Sequence, residues 1–153
     1  MVKISDLLYL IQKYPFGSVD DPLYVFAGGT AVQCLLHDSM YQREYHDIDL
    51  SAFDSRFLKS IQKSRNDKTT FFYNASLTID GIIPYYCKYP IELQIIQGSY
   101  YDAEITPNMG DVRSKSISKN LISLLSPEFI IVSKLSYPNV HRLQDFRDIL
   151  ALI

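Results

Sequence analysis

Gly28-Gly29-Thr30 follows the apolar run Leu23-Tyr24-Val25-Phe26-Ala27 and shortly precedes Asp47-Ile48-Asp49-Leu50, and this order restricts the chain more than any other feature. An apolar run closed by two glycines reads as a buried strand turning into a helix. Without Cβ atoms the glycines let backbone N–H groups at a helix start approach a phosphate. Residues two apart in a strand share a face, so Asp47 and Asp49 stand side by side while Ile48 and Leu50 turn into the core. Two such carboxylates repel one another unless a cation lies between them. A hard divalent ion such as Mg2+ accepts those oxygens and keeps part of its shell for waters and substrate phosphates. The two halves together describe a nucleoside triphosphate site.

The rest of the chain alternates helices and strands without repeats or low-complexity linkers. Ser5 caps a first helix over residues 5–14, with Leu7, Leu8 and Ile11 as its apolar stripe, and Pro15 and Gly17 end it. Residues 23–27 form a short buried strand, and residues 30–37 a helix with Val32, Leu35 and Leu36 inward. Residues 47–53 form the second strand. Asp54 or Ser55 then caps a helix to about residue 63, burying Phe57, Leu58 and Ile61. The segment 69–83 predicts a hairpin turning at Asp80-Gly81. Residues 90–97, Pro-Ile-Glu-Leu-Gln-Ile-Ile-Gln, form a further strand whose one acid is Glu92, with Gln94 on the same face.

The glycine pair at a helix start, followed by Asp-x-Asp on the next strand, resembles the nucleotidyltransferase superfamily. Gly28-Gly29-Thr30-Ala31, with Arg43 four residues before Asp47-Ile48-Asp49-Leu50, is most similar to the AbiEii-type enzymes, toxins of type IV toxin–antitoxin systems. Ser126-Pro127-Glu128, Lys134-Leu135, then Arg142, Asp145 and Asp148, resembles that group's helical C-terminal pattern. The resemblance implies one α+β domain over residues 1–153, a polymerase-beta-like mixed sheet flanked by helices. The sheet core would occupy about 20–105 and two C-terminal helices about 127–153. It further implies an enzyme that moves a nucleoside monophosphate from an NTP to a hydroxyl acceptor, with Mg2+ or Mn2+ as cofactor; the cysteine usage and the lack of a signal-like run read separately as cytoplasmic. Asp47, Asp49 and Glu92 would be the catalytic acids and metal ligands. Gly28, Gly29, Thr30, Arg43, Lys134 and Asp145 would hold the nucleotide, the Thr30 hydroxyl standing in for the serine of other members. The acceptor could be RNA, a protein or a small molecule, and a toxin would have an antitoxin partner.

Each of these residues also has a plainer reading. Glu92 and Gln94 suit the solvent side of a half-exposed strand. Lys134, beside Ile130, Ile131 and Leu135, suits a lysine snorkelling from an apolar face. Arg142 and Asp145 stand at helical spacing, as in a surface ion pair worth a fraction of a kcal/mol. Arg43 either holds a carboxylate or phosphate near the site or braces its loop, and His46 points away from Asp47 and reads as structural.

Composition removes several classes. The chain has 153 residues, 47% apolar and 21% charged, which suits a domain with its own core rather than a disordered segment. A net charge of −2 argues against a general electrostatic grip on nucleic acid. Cys34 and Cys87 lack metal-ligand spacing and read as reduced thiols. No run is long enough to cross a bilayer, and none resembles a signal segment. Twelve tyrosines and eight phenylalanines offer rings for stacking on a base, with Tyr85, Tyr86, Tyr89, Tyr100 and Tyr101 clustered about the Glu92 strand. A scaffold that has lost catalysis and serves as a binding or regulatory module is the alternative. Three acids held together at electrostatic cost argue against it. A general α+β protein without a nucleotide site would require the motif order to be accidental.

Overall fold

The computed structural model describes residues 1–63, 78–82, 91–96, 107–136 and 142–153; at residues 58, 61–63, 78–82 and 91–96 the description is of the backbone. Within these the chain forms α1 (Ile4–Lys13), β1 (Val25–Phe26), α2 (Gly28–Leu35), β2 (Ile48–Ala52), α3 (Arg56–Lys63), β3 (Thr78–Ile82) and β4 (Ile91–Ile96). After these come β5 (Val112–Ile117), β6 (Asn120–Leu125), α4 (Pro127–Ser136) and α5 (Leu143–Leu152). The strands make one six-stranded mixed sheet in the order β3-β4-β2-β1-β6-β5. β2 runs parallel to β4 and antiparallel to β1, while β1 runs parallel to β6. This is the mixed α+β architecture expected from the motifs.

Helix ends follow local chemistry. α1 begins before Ser5: Lys3 is the capping residue, and the Asp6 carboxylate accepts from its N–H at 2.8 Å, so Ser5 is not the cap. The carboxylate three residues into the helix thus satisfies the N–H of the capping residue, whereas a capping serine would accept from N–H groups of the first turn. α5 repeats the device, Arg142 N–H donating to Asp145 Oδ2 at 3.3 Å. α4 opens with Pro127 at its first position, and the Ser126 hydroxyl accepts from Phe129 N–H at 3.2 Å. α2 starts on the glycine pair itself, two residues ahead of the expected position.

Two expectations are corrected in the sheet. Asp80-Gly81 is no turn: both residues lie inside β3, paired with Gln94 and Leu93 of β4. The remainder of the expected hairpin, with Cys87 and the cluster from Tyr85 to Tyr101, lies outside the described residues. The sheet also extends past residue 105, because β5 and β6 form a hairpin on its far side. Its two-residue loop, Ser118-Lys119, has φ of 49° and 65°, the left-handed pair that matches strand twist in a tight hairpin.

Phe26, Val32, Ile48, Ala52, Ile122 and Leu124 are fully buried about the sheet, and Leu7 and Leu10 of α1 join the same core. Tyr24 links Phe16 and Phe57, with ring centroids 4.6 and 4.4 Å away. Its buried hydroxyl donates to the Tyr14 carbonyl, and burial pushes the phenol well above its usual range. Among the described residues no helix is long and apolar enough to cross a membrane.

Candidate active site

β1 and β2 are antiparallel neighbours, with Phe26 opposite Leu50, so the turn after β1 lies against the start of β2. Three hydrogen bonds fasten them. Ala27 N–H donates to the Asp49 carbonyl at 3.0 Å, Asp49 N–H donates to Thr30 Oγ1 at 2.7 Å, and Gly29 N–H donates to Asp49 Oδ2 at 3.0 Å. Thr30 is buried, its hydroxyl spent on the backbone of β2. The Asp49 carboxylate therefore sits at the N-terminus of α2, where the helix dipole favours negative charge.

The glycines are required by this closeness. Gly28 has φ of +45°, and a Cβ there would stand 2.6 Å from Asp49 Oδ2. A Cβ on Gly29 would stand 2.7 Å from Arg43 Nη2. Asp47 occupies the bend just before β2 and is half-buried, as is Asp49, while Ile48 and Leu50 are buried; the expected alternation is present. Glu92 is the register partner of Asp49 on β4. Partners on adjacent strands share a face of the sheet, so backbone pairing brings the positions of Asp49 and Glu92 together, with Asp47 two residues before Asp49 in the chain.

Three carboxylates are a hard oxygen donor set suited to Mg2+ or Mn2+. Among the described side chains, no group of three His, Cys, Asp or Glu has metal-binding placement, and the Glu92 side chain is outside that set. Asp47, Asp49 and Glu92 fit such an ion as residue types, and Asp49 and Glu92 also by register.

Arg43, Lys134 and Asp145 form a second group, joined by Asp148, which is fully buried. Arg43 grips Asp148 with two parallel bonds, Nε to Oδ1 at 2.9 Å and Nη2 to Oδ2 at 3.1 Å, and its guanidinium lies 3.8 Å over the Tyr45 ring. Tyr41 donates its hydroxyl to Asp148 Oδ1 at 2.6 Å. Lys134 is 7% exposed and lies 3.0 Å from Asp145 Oδ1 and 3.2 Å from Asp148 Oδ2. It is an interior lysine between two carboxylates, rather than one snorkelling outward. Burial pushes the Asp145 carboxyl up, but hydrogen bonds from Lys134 and Arg142 outweigh it and hold the group below the ordinary carboxylate range. Burial first, then the bond to Asp148, pushes the Tyr41 phenol upward. His46 is exposed, 3.4 Å from Glu44, and takes no part in this array.

Sequence reasoning grouped Asp47, Asp49 and Glu92 with Gly28 and Gly29; the structure sets the two glycines against Asp49 and pairs Asp49 with Glu92 in register. It did not foresee Tyr41, Tyr45 or the way Asp148 joins Arg43 to Lys134. The signal present was Asp148 at the end of the Arg-x-x-Asp-x-x-Asp run; its partner Arg43, 105 residues away, left no local trace.

The sequence matches no protein-family model and no curated protein. Several solved structures do match. The lincosamide antibiotic adenylyltransferase LnuA, in its lincomycin-bound form, superposes with a TM-score of 0.71 at 17% identity, covering 99% of this chain and 96% of that one. The antibiotic-resistance factor ANT(2'')-Ia in solution superposes with a TM-score of 0.61 at 14% identity, over 97% of this chain and 80% of that one. ANT(2'')-Ia in complex with adenylyl-2''-tobramycin gives 0.59 at 14% identity, over 97% and 84%. At such identities the likeness is one of fold, and the fold is that of nucleotidyltransferases. The narrower likeness to AbiEii-type toxins rests on the sequence motifs.

Proposed function

We propose that this chain is a metal-dependent nucleotidyltransferase that moves a nucleoside monophosphate from an NTP to an acceptor hydroxyl. The observation that carries the reading is Asp49, hydrogen-bonded to Gly29 at the start of α2 and in register with Glu92 on the neighbouring strand. A divalent ion held by Asp47, Asp49 and Glu92 would supply charge neutralisation at the phosphates and lower the pKa of the acceptor hydroxyl.

The chain's own residues supply the rest. Gly28 and Gly29, having no Cβ, let Asp49 and Arg43 close on the turn, and the triphosphate would lie beside that turn, where the α2 dipole favours its charge. Thr30 fixes β2 against that turn through Asp49 N–H. The acceptor oxygen attacks the α-phosphorus, the bond from that phosphorus to the bridging oxygen breaks, and pyrophosphate leaves with the electron pair. Glu92, on the strand beside Asp49, would take the hydroxyl proton.

A small polyhydroxylated acceptor is favoured, because LnuA and ANT(2'')-Ia are named for antibiotics and superpose over nearly the whole chain. A toxin acting on RNA or protein, restrained by an antitoxin, is the second reading. It is supported by Gly28-Gly29-Thr30-Ala31 with Arg43 before Asp47-Ile48-Asp49-Leu50. One experiment addresses both. Each α-labelled NTP, with Mg2+ or Mn2+, is offered to a panel of lincosamides and aminoglycosides, to total RNA and to the protein itself. Transfer by the wild type that Asp47→Ala/Asp49→Ala abolishes is the expected result, and the labelled species names the acceptor. Absence of transfer together with absence of a thermal shift on adding Mg-nucleotide would replace the enzyme reading with that of a binding or regulatory scaffold.

A further inference from the structure

We propose that Asp148 is a positioning residue of this site, acting through Arg43 to hold the loop before β2 and the Gly28-Gly29 turn at a fixed separation. The inference rests on the transfer reading given above, in which that turn receives the triphosphate.

The geometry begins with the donors of Arg43. A guanidinium has five N–H groups in a rigid fork. Nε and one hydrogen of Nη2 go to Asp148. One hydrogen of Nη1 goes to the Glu44 carbonyl at 3.0 Å. The Gln144 amide faces the remaining two; turned so that its oxygen rather than its NH2 meets these donors, the orientation that satisfies both groups, it accepts at 2.6 Å from Nη1 and 3.3 Å from Nη2. With its donors engaged by the protein, Arg43 is a brace and not a hand held out to phosphate. What it braces is set by Gly29, since Nη2 occupies the space a Cβ there would need.

Asp148 is the other end of the brace. It is fully buried on α5, and Lys134 of α4 and Tyr41 fix the same carboxylate, so its position is set by three groups besides the helix. A carboxylate held so firmly transmits the placement of the two C-terminal helices to the nucleotide turn. Lys134 and Asp145, which the sequence marked as nucleotide-binding, serve in this arrangement to hold Asp148 rather than to touch substrate. Small errors of placement at a reacting phosphate are costly, and this is the reason for a rigid brace there.

The test is a double-mutant cycle on Asp148→Asn and Arg43→Gln, read by the affinities of Mg-ATP, Mg-GTP, Mg-CTP and Mg-UTP and by the backbone amide NMR signals of Gly28 and Gly29. Each single variant should weaken binding of the preferred nucleotide by roughly tenfold, and the double variant by no more than either single one. The two glycine amide signals should move in all three. Additive losses, or Asp148→Asn with unshifted glycine amides and unchanged affinity, would overturn the proposal. Should Asp148→Asn fail to fold, Tyr41→Phe removes one donor to the same carboxylate without removing charge. Its shift of the glycine amides should vanish in an Arg43→Gln background, and a shift that persists there overturns the proposal. A wild type that binds none of the four nucleotides sinks the transfer reading, while the amide signals still decide whether Asp148 acts through Arg43.

Discussion

Gly28 has two independent reasons to be glycine. Its φ of +45° lies where an L side chain meets its own backbone, and Asp49 Oδ2 already occupies the volume of a Cβ. Gly28→Ala should lower stability by about 1–3 kcal/mol, read by urea denaturation, and should reduce transfer more than stability alone explains, because Asp49 must move. Asp145 carries a different prediction. Its folded-state carboxyl titrates below the ordinary value, so the unfolded chain takes up the proton first as pH falls. Its stabilisation is present at neutral pH and is lost from about pH 4 downward. Asp145→Asn should therefore flatten the acid limb of a plot of thermal midpoint against pH. An acid limb as steep as that of the wild type would refute the assignment.

At the level of elements, legibility depended on whether pattern and partner were local. β2 was readable because Ile48, Leu50 and Ala52 alternate with Asp49, and the structure buries those three. β5 was not, since its residues Val112-Arg113-Ser114-Lys115-Ser116-Ile117 run along a sheet edge, with Ile117 its one buried member. Its loop hid too, because Ser118-Lys119 adopts a conformation that a sequence usually announces with glycine or asparagine. Asp80-Gly81 misled in the opposite sense: turn propensity lost to five consecutive pairings with β4. The edge strand nonetheless supports the candidate site, through Lys115. Its ammonium donates to the Cys34 and Leu35 carbonyls at 2.9 and 3.0 Å, satisfying and neutralising the C-terminus of α2. Lys115→Met should cost about 1–2 kcal/mol in chemical denaturation while keeping most of the apolar contact. A loss indistinguishable from zero would mean that water replaces the lysine without cost.

For the whole molecule, the short strand β1 is the junction. It has two residues, yet one side pairs antiparallel with β2 and the other pairs parallel with β6 through Phe26 and Leu124. Among the described residues, the strands of the acid-bearing half of the sheet (β3, β4, β2) and those of the hairpin half (β6, β5) are joined through β1, and the Gly-Gly turn leaves from its end. The apolar run before Gly28 made this strand legible, but its central place in the sheet was not, because β6 lies about a hundred residues further on and sequence proximity carries no trace of that pairing. Phe26 fills the junction: it is fully buried, and its ring centroid lies 5.2 Å from that of Phe16 in an edge-on arrangement. Phe26→Ala should cost about 3–5 kcal/mol, the range for truncating a buried aromatic. If the junction couples the halves, hydrogen exchange at Leu50 in β2 and at Ile122 in β6 should speed up together in this variant, both tracking global unfolding. Acceleration confined to Ile122, with Leu50 still protected as in the wild type, would show that the acid-bearing half holds together without the hairpin and that β1 belongs energetically to one side only.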